Sequence, residues 1–357
     1  MIHHSSFAIR HSPFVIRHSL LDKAHGCLAG LALGDAMGCP TEFLTPEQIT
    51  AEYGWVEGLV ASPAWHPHSA LPTGRVTDDT EQALALAGVY LRDGRMSAGA
   101  LAQAVLDWAD AQGEHLALYL GPSTRQALES LRAGADPHES GRAGRTNGAA
   151  MRVAPVGIAR AGDFEGALAD AVEASLPTHG TTLALSAAVA VACAVAEAMC
   201  EDATLEGVLE AGMEGARRGR EFGVWVWTPP LEKRFELALR LVRQAENEAQ
   251  AVRALYDYVG VDLTVTESVP TAFGLVALAE GDPMRAVCYA PNIGGDTDTI
   301  GAIAGAVCGA LRGIEAVDQA LLSEVERVNG LDLSPVAQGL VRVGAEHWKG
   351  EERESTS

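Results

Sequence analysis

Apolar residues occur along most of this chain in runs of helical length, and short alternating segments typical of strands are few. From Leu21 onward the runs are rich in Ala, Leu, Gly and Val, and each carries a helix start or stop signal. The pattern therefore predicts a nearly all-α protein. The predicted helices span residues 22–38, 79–93, 97–112, 123–133, 164–174, 181–200, 204–219, 231–246, 248–259, 268–280, 283–289, 299–313, 315–327 and 335–348.

Two segments need a separate interpretation. Residues 222–227 form the best candidate for an extended segment, which stops at the Thr-Pro-Pro sequence of 228–230. The strongly apolar run 183–199 is a little short for a membrane span, and Ser186 and Glu197 interrupt it without a basic flank after it. We therefore expect a central buried helix there, and no association with membranes.

Two of the predicted helices carry glycine at every fourth position. Glycine in a helix interior costs about 1 kcal/mol relative to alanine, so a row of glycines indicates that another segment passes very close. We expect a tight contact between these two helices, which would make them central to the fold and bring their ends together. The glycines are Gly26, Gly30, Gly34 and Gly38 in the first helix and Gly301, Gly305 and Gly309 in the second.

The composition fits a globular protein with a sizeable core. The 357 residues are 48% hydrophobic and 20% charged, which allows one large domain or roughly two smaller ones. Lysine and arginine number 26 against 47 aspartate and glutamate, a formal net charge of −21. This charge repels nucleic-acid backbones and attracts cations, so we expect no nucleic-acid partner. Whether the acidic residues bind a metal or only keep the protein soluble depends on their positions.

The six cysteines indicate a reducing compartment. None belongs to a C-x-x-C pair, and two lie within strongly apolar helical runs, so we interpret them as reduced core thiols of a cytoplasmic protein. The N-terminus lacks a continuous hydrophobic region and a small-residue cleavage site, so we expect no signal peptide.

The N-terminal region contains a near-duplication. Residues 4–10, HSSFAIR, are followed by residues 11–17, HSPFVIR. We expect residues 1–20 to be a disordered extension outside the domain, with metal binding by its histidines as the alternative. The domain itself is expected over residues 21–349, followed by a polar tail at 350–357.

Two acidic turns precede predicted helices. Residues 74–81, GRVTDDTE, come before the apolar run 82–91, and residues 294–299, GGDTDT, come before the glycine-rich run 300–311. Hydroxyl and carboxylate side chains at such positions are also typical of ordinary helix capping. Capping uses one side chain per helix, however, whereas each turn offers two carboxylates with flanking threonines. Because four buried carboxylates would be costly without a cation, a metal site is the other interpretation.

The second turn differs from the calcium loop of an EF-hand. Asp296, Asp298 and Gly301 match the first, third and sixth positions of that loop. Ile300 and Val307 stand where it requires oxygen ligands, so this interpretation fails. Oxygen ligands without histidine or cysteine favour Mg²⁺ or Mn²⁺ over zinc. Two such turns facing each other would suit a two-metal site, which polarises a substrate oxygen and lowers the pKa of a bound water.

Six short motifs follow one another between about residues 22 and 315. They are GCLAGLALGDAMG at 26–38, PTEF at 40–43, TDDT at 77–80, NGAAMR at 147–152, TH at 178–179 and GGDTDTI at 294–300. As an ordered set they resemble the ADP-ribosylglycohydrolase family. The resemblance implies a compact single-domain all-α fold with a central binuclear Mg²⁺ or Mn²⁺ site. It also implies a hydrolase that cleaves the glycosidic bond between ADP-ribose and an acceptor, with arginine of ADP-ribosylated proteins favoured.

By motif position, the resemblance implies particular site residues. Glu42 matches a catalytic acidic residue on a loop over the metals, where it would ligate a metal or orient the attacking water and manage protons. Without the family, an exposed loop carboxylate is the alternative for Glu42. The implied metal ligands are Thr77, Asp78, Asp79, Asp296, Asp298 and Thr299.

The diphosphate of ADP-ribose would have to bind without a large basic patch. A P-loop and a strand-associated G-x-G-x-x-G are missing from the sequence, which removes the usual support for ATP hydrolysis and NAD-dependent redox chemistry. Backbone N–H groups at a helix N-terminus or a glycine turn bind phosphate instead, and a plain turn is the alternative for each segment. Thr146 replaces the glycine of many relatives, so the loop shape there stays open. The implied substrate-binding residues are Gly121, Pro122, Ser123, Thr124, Asn147, Gly148 and His179.

Two further features accompany the motifs. Asp35, within the first glycine-rich helix, is expected to support the neighbouring turns by hydrogen bonds rather than to bind metal. The loop after the PTEF motif contains prolines and forms either a lid over the substrate or a surface-packed loop. Its aromatic and histidine residues are Trp55, Trp65, His66 and His68.

Two other functions stay open from the sequence. The first is a metal-dependent hydrolase on the same scaffold that acts on a nucleoside, a phosphoester or a free ADP-ribose derivative. The second is a non-catalytic, metal-free binding protein, which the four intact aspartates of the two turns disfavour. The expected partners are an ADP-ribosylated protein or an ADP-ribosyl small molecule, bound by a monomer.

Overall fold

The structure, a computed structural model, describes residues 18–113, 116 and 120–355, with no account of side chains after residue 347. Across these ranges there are seventeen α-helices and no strand, which confirms the predicted all-α fold in one compact domain. The helices are α1 (His18–Gly38), α2 (Pro46–Tyr53), α3 (Asp78–Asp93), α4 (Ala98–Gln112), α5 (Pro122–Arg132), α6 (Gly148–Arg152), α7 (Ala154–Ala159), α8 (Phe164–Ser175), α9 (Thr182–Ala198), α10 (Leu205–Gly219), α11 (Leu231–Gln244), α12 (Glu248–Ala254), α13 (Ser268–Leu278), α14 (Pro283–Tyr289), α15 (Thr297–Arg312), α16 (Gln319–Asn329) and α17 (Leu333–Ser355).

Most departures from the predicted elements are local. The short helices α2, α6 and α7 were not predicted, and α16 begins at Gln319 because the side chain of Asp318 caps it. In the segment 222–227, only Val224 is paired, in an isolated bridge to Thr181, so the expected extended segment does not form a strand. The N-terminal repeat lies outside the described residues. Helix α1 begins at His18, within the predicted extension, and α17 continues through the predicted polar tail as far as Ser355.

The centre of the core is α9, as predicted for its apolar run. Every residue of this helix except Glu197 is buried. Among the described residues, no helix is both long and apolar enough to cross a membrane. Of the six cysteines interpreted as core thiols, Cys27, Cys39, Cys193 and Cys308 are buried, whereas Cys200 and Cys288 are only half-buried.

The two glycine-rich helices, α1 and α15, cross in backbone contact. A Cβ atom added at Gly30 would lie 2.1 Å from the carbonyl oxygen of Gly305, and equally close approaches recur along both glycine rows. At the end of α1, a Cβ at Gly38 would lie 2.4 Å from the backbone nitrogen of Asp298. The predicted contact is therefore confirmed, and it brings the start of α15 against the end of α1.

Candidate metal centre

The two acidic turns meet at the starts of α3 and α15. The hydroxyl oxygens of Thr77 and Thr299 lie 3.3 Å and 3.4 Å from Oδ2 of Asp79, and the Thr299 hydroxyl donates to it. Thr77 and Asp79 belong to the first turn, whereas Thr299 belongs to the second. The structure thus brings together the two segments that the sequence places more than two hundred residues apart.

Asp35 of α1 holds the first turn in place. Its carboxylate accepts the backbone N–H groups of Thr77 at 3.0 Å and Thr80 at 3.1 Å. It also accepts the hydroxyls of these two threonines, at 2.8 Å and 2.5 Å. Burial raises the pKa of Asp35 to about 6, and these four donors oppose that rise. Asp35 supports the turn by hydrogen bonds, as predicted.

A pair of glycines shapes the second turn. Gly295 has φ of 72°, and a Cβ there would lie 2.5 Å from the carbonyl oxygen of Val261. The N–H of Asp296 donates to this same carbonyl at 2.8 Å. A glycine is needed at 295 because both the left-handed backbone and the close approach exclude a side chain.

Ordinary capping does not explain the turns. Thr77 and Asp296 occupy the N-cap positions of α3 and α15, and neither side chain makes a capping hydrogen bond. Oδ1 of Asp79 and Oδ1 of Asp296 are buried and accept no hydrogen bond from the described residues. A buried carboxylate oxygen without a partner is costly, so these oxygens fit a role as ligands of a cation.

Glu42 joins the aspartates in one acidic cluster. Glu42, Asp296 and Asp298 are buried, and each offers a carboxylate oxygen such that the three atoms lie within 4.8 Å of one another. Burial, followed by the charge of Asp298, raises the pKa of Glu42 well above its usual range, and burial raises that of Asp296 to about 6. A divalent cation would favour the ionised forms of all three. The all-oxygen donor set suits Mg²⁺ or Mn²⁺.

Asp78 connects the cluster to a buried arginine. Asp78 is half-buried, and its Oδ2 accepts the Gln82 side-chain amide at 3.2 Å. The Gln82 Oε1 accepts Nη1 of Arg152 at 2.8 Å. Arg152 is fully buried, and its Nη2 donates to the Thr178 hydroxyl at 2.5 Å. The guanidinium therefore joins α3, which carries the first acidic turn, to the segment before α9.

His179 continues this network behind the 146–148 loop. Its Nδ1 lies 2.7 Å from the Thr178 hydroxyl and its Nε2 lies 3.0 Å from the Thr146 hydroxyl. A Cβ at Gly148 would lie 2.8 Å from the imidazole ring, so the ring packs directly against the loop. Burial lowers the pKa of His179 well below its usual range, which keeps the ring neutral.

The acidic cluster lines a cavity of about 240 Å³. All the predicted site residues except Ser123 and His179 line it, together with His68 and apolar neighbours. The hydroxyl of Ser123 instead accepts the backbone N–H groups of Arg145 and Thr146, at 3.2 Å and 3.3 Å. Ser123 thus ties together the two predicted phosphate-binding loops. The direct substrate contacts assigned to Ser123 and His179 stay predictions.

A second, larger cavity of about 540 Å³ shares a wall with the first. Phe43, Leu263 and Asp296 line both cavities. The remainder of the second cavity carries the carboxylates of Asp257, Asp262 and Glu267 beside Tyr256. Arg253 pairs with Asp257, with 2.9 Å between Nε and Oδ2, so the negative charge next to the acidic cluster comes from Asp262 and Glu267.

The loop after Glu42 has two parts. Trp55 and Trp65 are 46% and 60% exposed, whereas His66 and His68 are each 2% exposed. The two histidines pack under the surface against Glu42, so only the tryptophans have the exposure that a lid needs.

The sequence analysis did not predict three contacts that support the site, those of Gln82, Arg152 and His68, although it named His68 as part of a possible lid loop and Arg152 as the end of a motif. Gln82 stands four residues after Asp78 on one helix face, and Arg152 ends the NGAAMR motif, so their positions offered a signal. His68 gave only a weak one, because its contact with Glu42 depends on how the intervening loop folds back.

Comparisons with known proteins agree with this geometry. The sequence profile described as ADP-ribosylglycohydrolase matches residues 17–350. The chain is 38% identical over 323 residues to uncharacterized protein YegU of Escherichia coli (strain K12). This alignment covers 89% of this chain and 96% of YegU. The chain is also 27% identical over 325 residues to ADP-ribosylarginine hydrolase Tri1 of Serratia proteamaculans (strain 568). This alignment covers 87% of this chain and 78% of Tri1.

A solved structure is similar over almost the whole chain. It is titled ADP-ribosylglycohydrolase-related protein complex, and the TM-score is 0.68 with 28% sequence identity. The match covers 92% of this chain and 100% of the other. The similarity therefore includes the helical scaffold as well as the short motifs.

Proposed function

Because the chain belongs to the ADP-ribosylglycohydrolase family, we propose that it hydrolyses the glycosidic bond between ADP-ribose and an acceptor with the help of two divalent cations, Mg²⁺ or Mn²⁺. The observation that carries this proposal is the meeting of the two acidic turns, where Asp79 and Asp296 each present a buried carboxylate oxygen without a partner. Both residues stand at the starts of their helices, α3 and α15, and both line one shared cavity.

We assign the cations to the six residues of the two turns. Bound there, they would polarise ribose oxygens and lower the pKa of an attacking water. The side chains themselves hold the geometry: Asp35 fixes the first turn, and Asn147 donates to Oδ2 of Asp296 in the second. The proposed ligands are Thr77, Asp78, Asp79, Asp296, Asp298 and Thr299.

Glu42 is the proposed proton carrier. Hydrolysis adds a hydroxyl group to the anomeric carbon of the ribose and a proton to the released acceptor, through a transition state with oxocarbenium character. A carboxylate in the cavity can accept the proton of water and return it to the leaving group. Glu42 lines the cavity, is buried, and lies beside Asp296 and Asp298.

The ADP part of the substrate would lie along the wall of the cavity that the 121–124 and 147–148 segments form. Gly121 precedes α5, an eleven-residue helix whose first N–H groups have no helical partner and can bind the diphosphate. Thr124 of this helix is buried and lines the cavity, as do Asn147 and Gly148 of the adjoining loop. This arrangement supports phosphate binding without a basic patch.

Arginine is the proposed acceptor. The second cavity adjoins the cluster and carries Asp262 and Glu267, which complement a guanidinium group, and Phe43 offers an aromatic face to it. Arg253 of the chain already pairs with Asp257 and stacks on Tyr256, so these two residues recognise a guanidinium in the structure itself. The relative from Serratia proteamaculans is named an ADP-ribosylarginine hydrolase. Protein-linked ADP-ribosyl arginine is therefore the first substrate to test.

The proposed setting is the cytoplasm, with the protein acting as a monomer. The buried thiols of Cys27, Cys39, Cys193 and Cys308 suit a reducing compartment. Light scattering coupled to gel filtration would test the monomer, for which a single species near 37.3 kDa is expected.

The central experiment measures release of ADP-ribose from an arginine-modified protein in the presence of Mn²⁺. Asp298→Asn should lower the rate at least about 100-fold, because it removes a charge from a set that supplies several kcal/mol of stabilisation. Asp332→Asn, the same exchange at an exposed position, is the matched control and should leave the rate unchanged. Equal rates for wild type and Asp298→Asn would remove the metal proposal.

A substrate panel distinguishes the alternatives. ADP-ribosyl arginine, ADP-ribosyl serine, free ADP-ribose derivatives and simple nucleosides should be compared at equal concentration. Preference for a nucleoside or for serine would redirect the acceptor assignment but keep the hydrolase. No activity on any of them would favour the non-catalytic binding protein.

A further inference from the structure

Two histidines of the loop after α2 hold Glu42 from its backbone and its side chain. His66 Nε2 lies 2.7 Å from the carbonyl oxygen of Glu42. His68 Nε2 lies 2.6 Å from Oε2 of the same residue. Both rings are buried, and neither the proposed metal ligands nor the substrate-binding residues account for them.

The hydrogen bonds assign the protons of His66. The backbone N–H of His68 donates to Nδ1 of His66 at 3.1 Å, so this nitrogen is an acceptor. The proton of the neutral ring is then on Nε2, which donates it to the carbonyl oxygen of Glu42. His66 thereby fixes the backbone at Glu42 and also aligns the backbone of His68.

His68 acts on the Glu42 carboxylate itself. When Glu42 is ionised, the form that a bound cation favours, its carboxylate can only accept, so the short contact then has its proton on Nε2 of His68. The bond occupies Oε2 and leaves the other oxygen of Glu42 for the cavity. Nδ1 of His68 has no partner among the described residues, so no second hydrogen bond orients this ring.

Aromatic packing orients the His68 ring in place of a second hydrogen bond. Phe43 is held at φ of 64° by backbone pairing of Phe43 and Leu44 with Gly295, an unusual conformation for a bulky residue. Its ring packs against both histidines, with ring centroids 6.5 Å from His66 and 6.2 Å from His68. The strained backbone therefore places one aromatic wall behind the histidine pair.

Glu42 needs such a restraint because its neighbours repel it. Its carboxylate lies among those of Asp296 and Asp298, and the next residue, Phe43, is 55% exposed at the edge of the fold. A glutamate side chain has three rotatable bonds, so repulsion would turn it away from the cluster unless a donor holds it. Among the described residues, the side chain in contact with this carboxylate is His68.

We propose that His68 is a positioning residue that holds Glu42 in the acidic cluster through a single Nε2–H to Oε2 hydrogen bond. The proposal rests on the proposed function only in assigning Glu42 to the metal and proton chemistry. Removing a hydrogen-bond partner that orients a site carboxylate typically lowers metal affinity or activity by about 10- to 100-fold.

The test compares His68→Ala with His68→Gln in the full chain. Glutamine carries an amide N–H that can replace the Nε2 donor, whereas alanine leaves the carboxylate free. Calorimetry with Mn²⁺ should show affinity about tenfold weaker for His68→Ala and within about threefold of wild type for His68→Gln. With substrate, kcat should fall about 10- to 100-fold for His68→Ala while KM changes little.

The same changes in a Glu42→Ala background separate positioning from folding, because alanine removes the carboxylate that His68 holds. If His68 acts only through Glu42, then His68→Ala should add no further loss of Mn²⁺ affinity or kcat in that background. A further loss there, equal losses for His68→Gln and His68→Ala, or no loss for His68→Ala would each overturn the proposal. Calorimetry needs no substrate, so the order of Mn²⁺ affinities tests His68 even if no ADP-ribose is released, an outcome that would overturn the proposed function alone.

Discussion

The glycine contact between α1 and α15 and the acidic cluster at its end are built on opposite principles. Along the contact, uncharged backbones touch with no room for a methyl group, as between Gly30 and Gly305. At its end, carboxylates such as Asp79 and Asp296 lie close together with buried oxygens that no described residue satisfies. Packing therefore favours the closed contact between the two helices. Repulsion between the carboxylates, in contrast, favours separation of the two turns when no cation is bound.

The difference shows what the contact does for the site. Gly38 touches the backbone of Asp298, so the tightly packed helices fix the start of α15 directly. Packing of this density transmits small displacements rather than absorbing them. We infer that the glycine rows hold the turns together against charge repulsion, and that the cations relieve this repulsion.

The largest expected effect comes from breaking the contact. Gly30→Val places a side chain where a Cβ alone would lie 2.1 Å from the Gly305 carbonyl oxygen, so the helices must separate. The free energy of unfolding should fall by more than about 4 kcal/mol, measured by urea denaturation with excess Mn²⁺. Gly88→Ala on α3 is the control: a Cβ there meets no atom within 4 Å, and the change should stabilise by up to about 1 kcal/mol. Equal stabilities for both variants would contradict the close contact.

The cluster should make stability depend on pH in the metal-free protein. Burial raises the folded-state pKa of Asp35 and Asp296 from 3.8 to about 6, so the folded state binds more protons than the unfolded state between about pH 4 and pH 6. The free energy of unfolding should therefore fall as pH rises through this window, by up to about 3 kcal/mol per group. Excess Mn²⁺ should flatten this slope, because it binds the ionised form. Parallel slopes with EDTA and with Mn²⁺ would argue against cation binding.

A smaller effect is expected at Arg152, which joins α3, with its acidic turn, to the segment before α9. In Arg152→Lys, a single ammonium group cannot reach both Gln82 and Thr178, so a buried acceptor loses its donor. The free energy of unfolding should fall by about 2 kcal/mol in urea denaturation. Arg240→Lys, an exposed control, should change it by less than about 0.5 kcal/mol. A change at Arg152 no larger than at Arg240 would show that the network does not hold the two segments.

The smallest effect concerns the acceptor. Asp262→Asn removes one negative charge from the second cavity, where Asp262 is exposed and water weakens the charge. KM for an ADP-ribosyl arginine protein should rise about threefold at low salt, with kcat unchanged, and the difference should shrink as salt is added. An equal rise in KM for an ADP-ribosyl serine substrate would contradict the proposal that this cavity selects a cationic acceptor.

Much of the scaffold could be predicted because its signals are local. Glycine at every fourth position predicted the contact of α1 with α15, since only a close neighbour compensates such rows. The short helices α6 and α7 escaped prediction because five or six residues carry too little periodicity.

The site was predictable only in part, because its second layer consists of long-range contacts. The acidic turns could be recognised in the sequence by their unusual density of carboxylates. The glycine rows predicted that the two turns meet. His68 and Glu42 are 26 residues apart in the sequence, and Arg152 and Gln82 are 70 residues apart. No repeating pattern in the sequence predicts either contact. Such partners depend on how loops fold back, which local propensity does not determine.

The most direct test of the central claim is calorimetric titration of the metal-free protein with Mn²⁺. We predict two ions per chain, with binding lost or weakened at least about 100-fold in Asp298→Asn and unchanged in the exposed control Asp332→Asn. Absence of binding at millimolar Mn²⁺ and Mg²⁺, or equal binding by wild type and Asp298→Asn, would contradict a metal centre between the two turns.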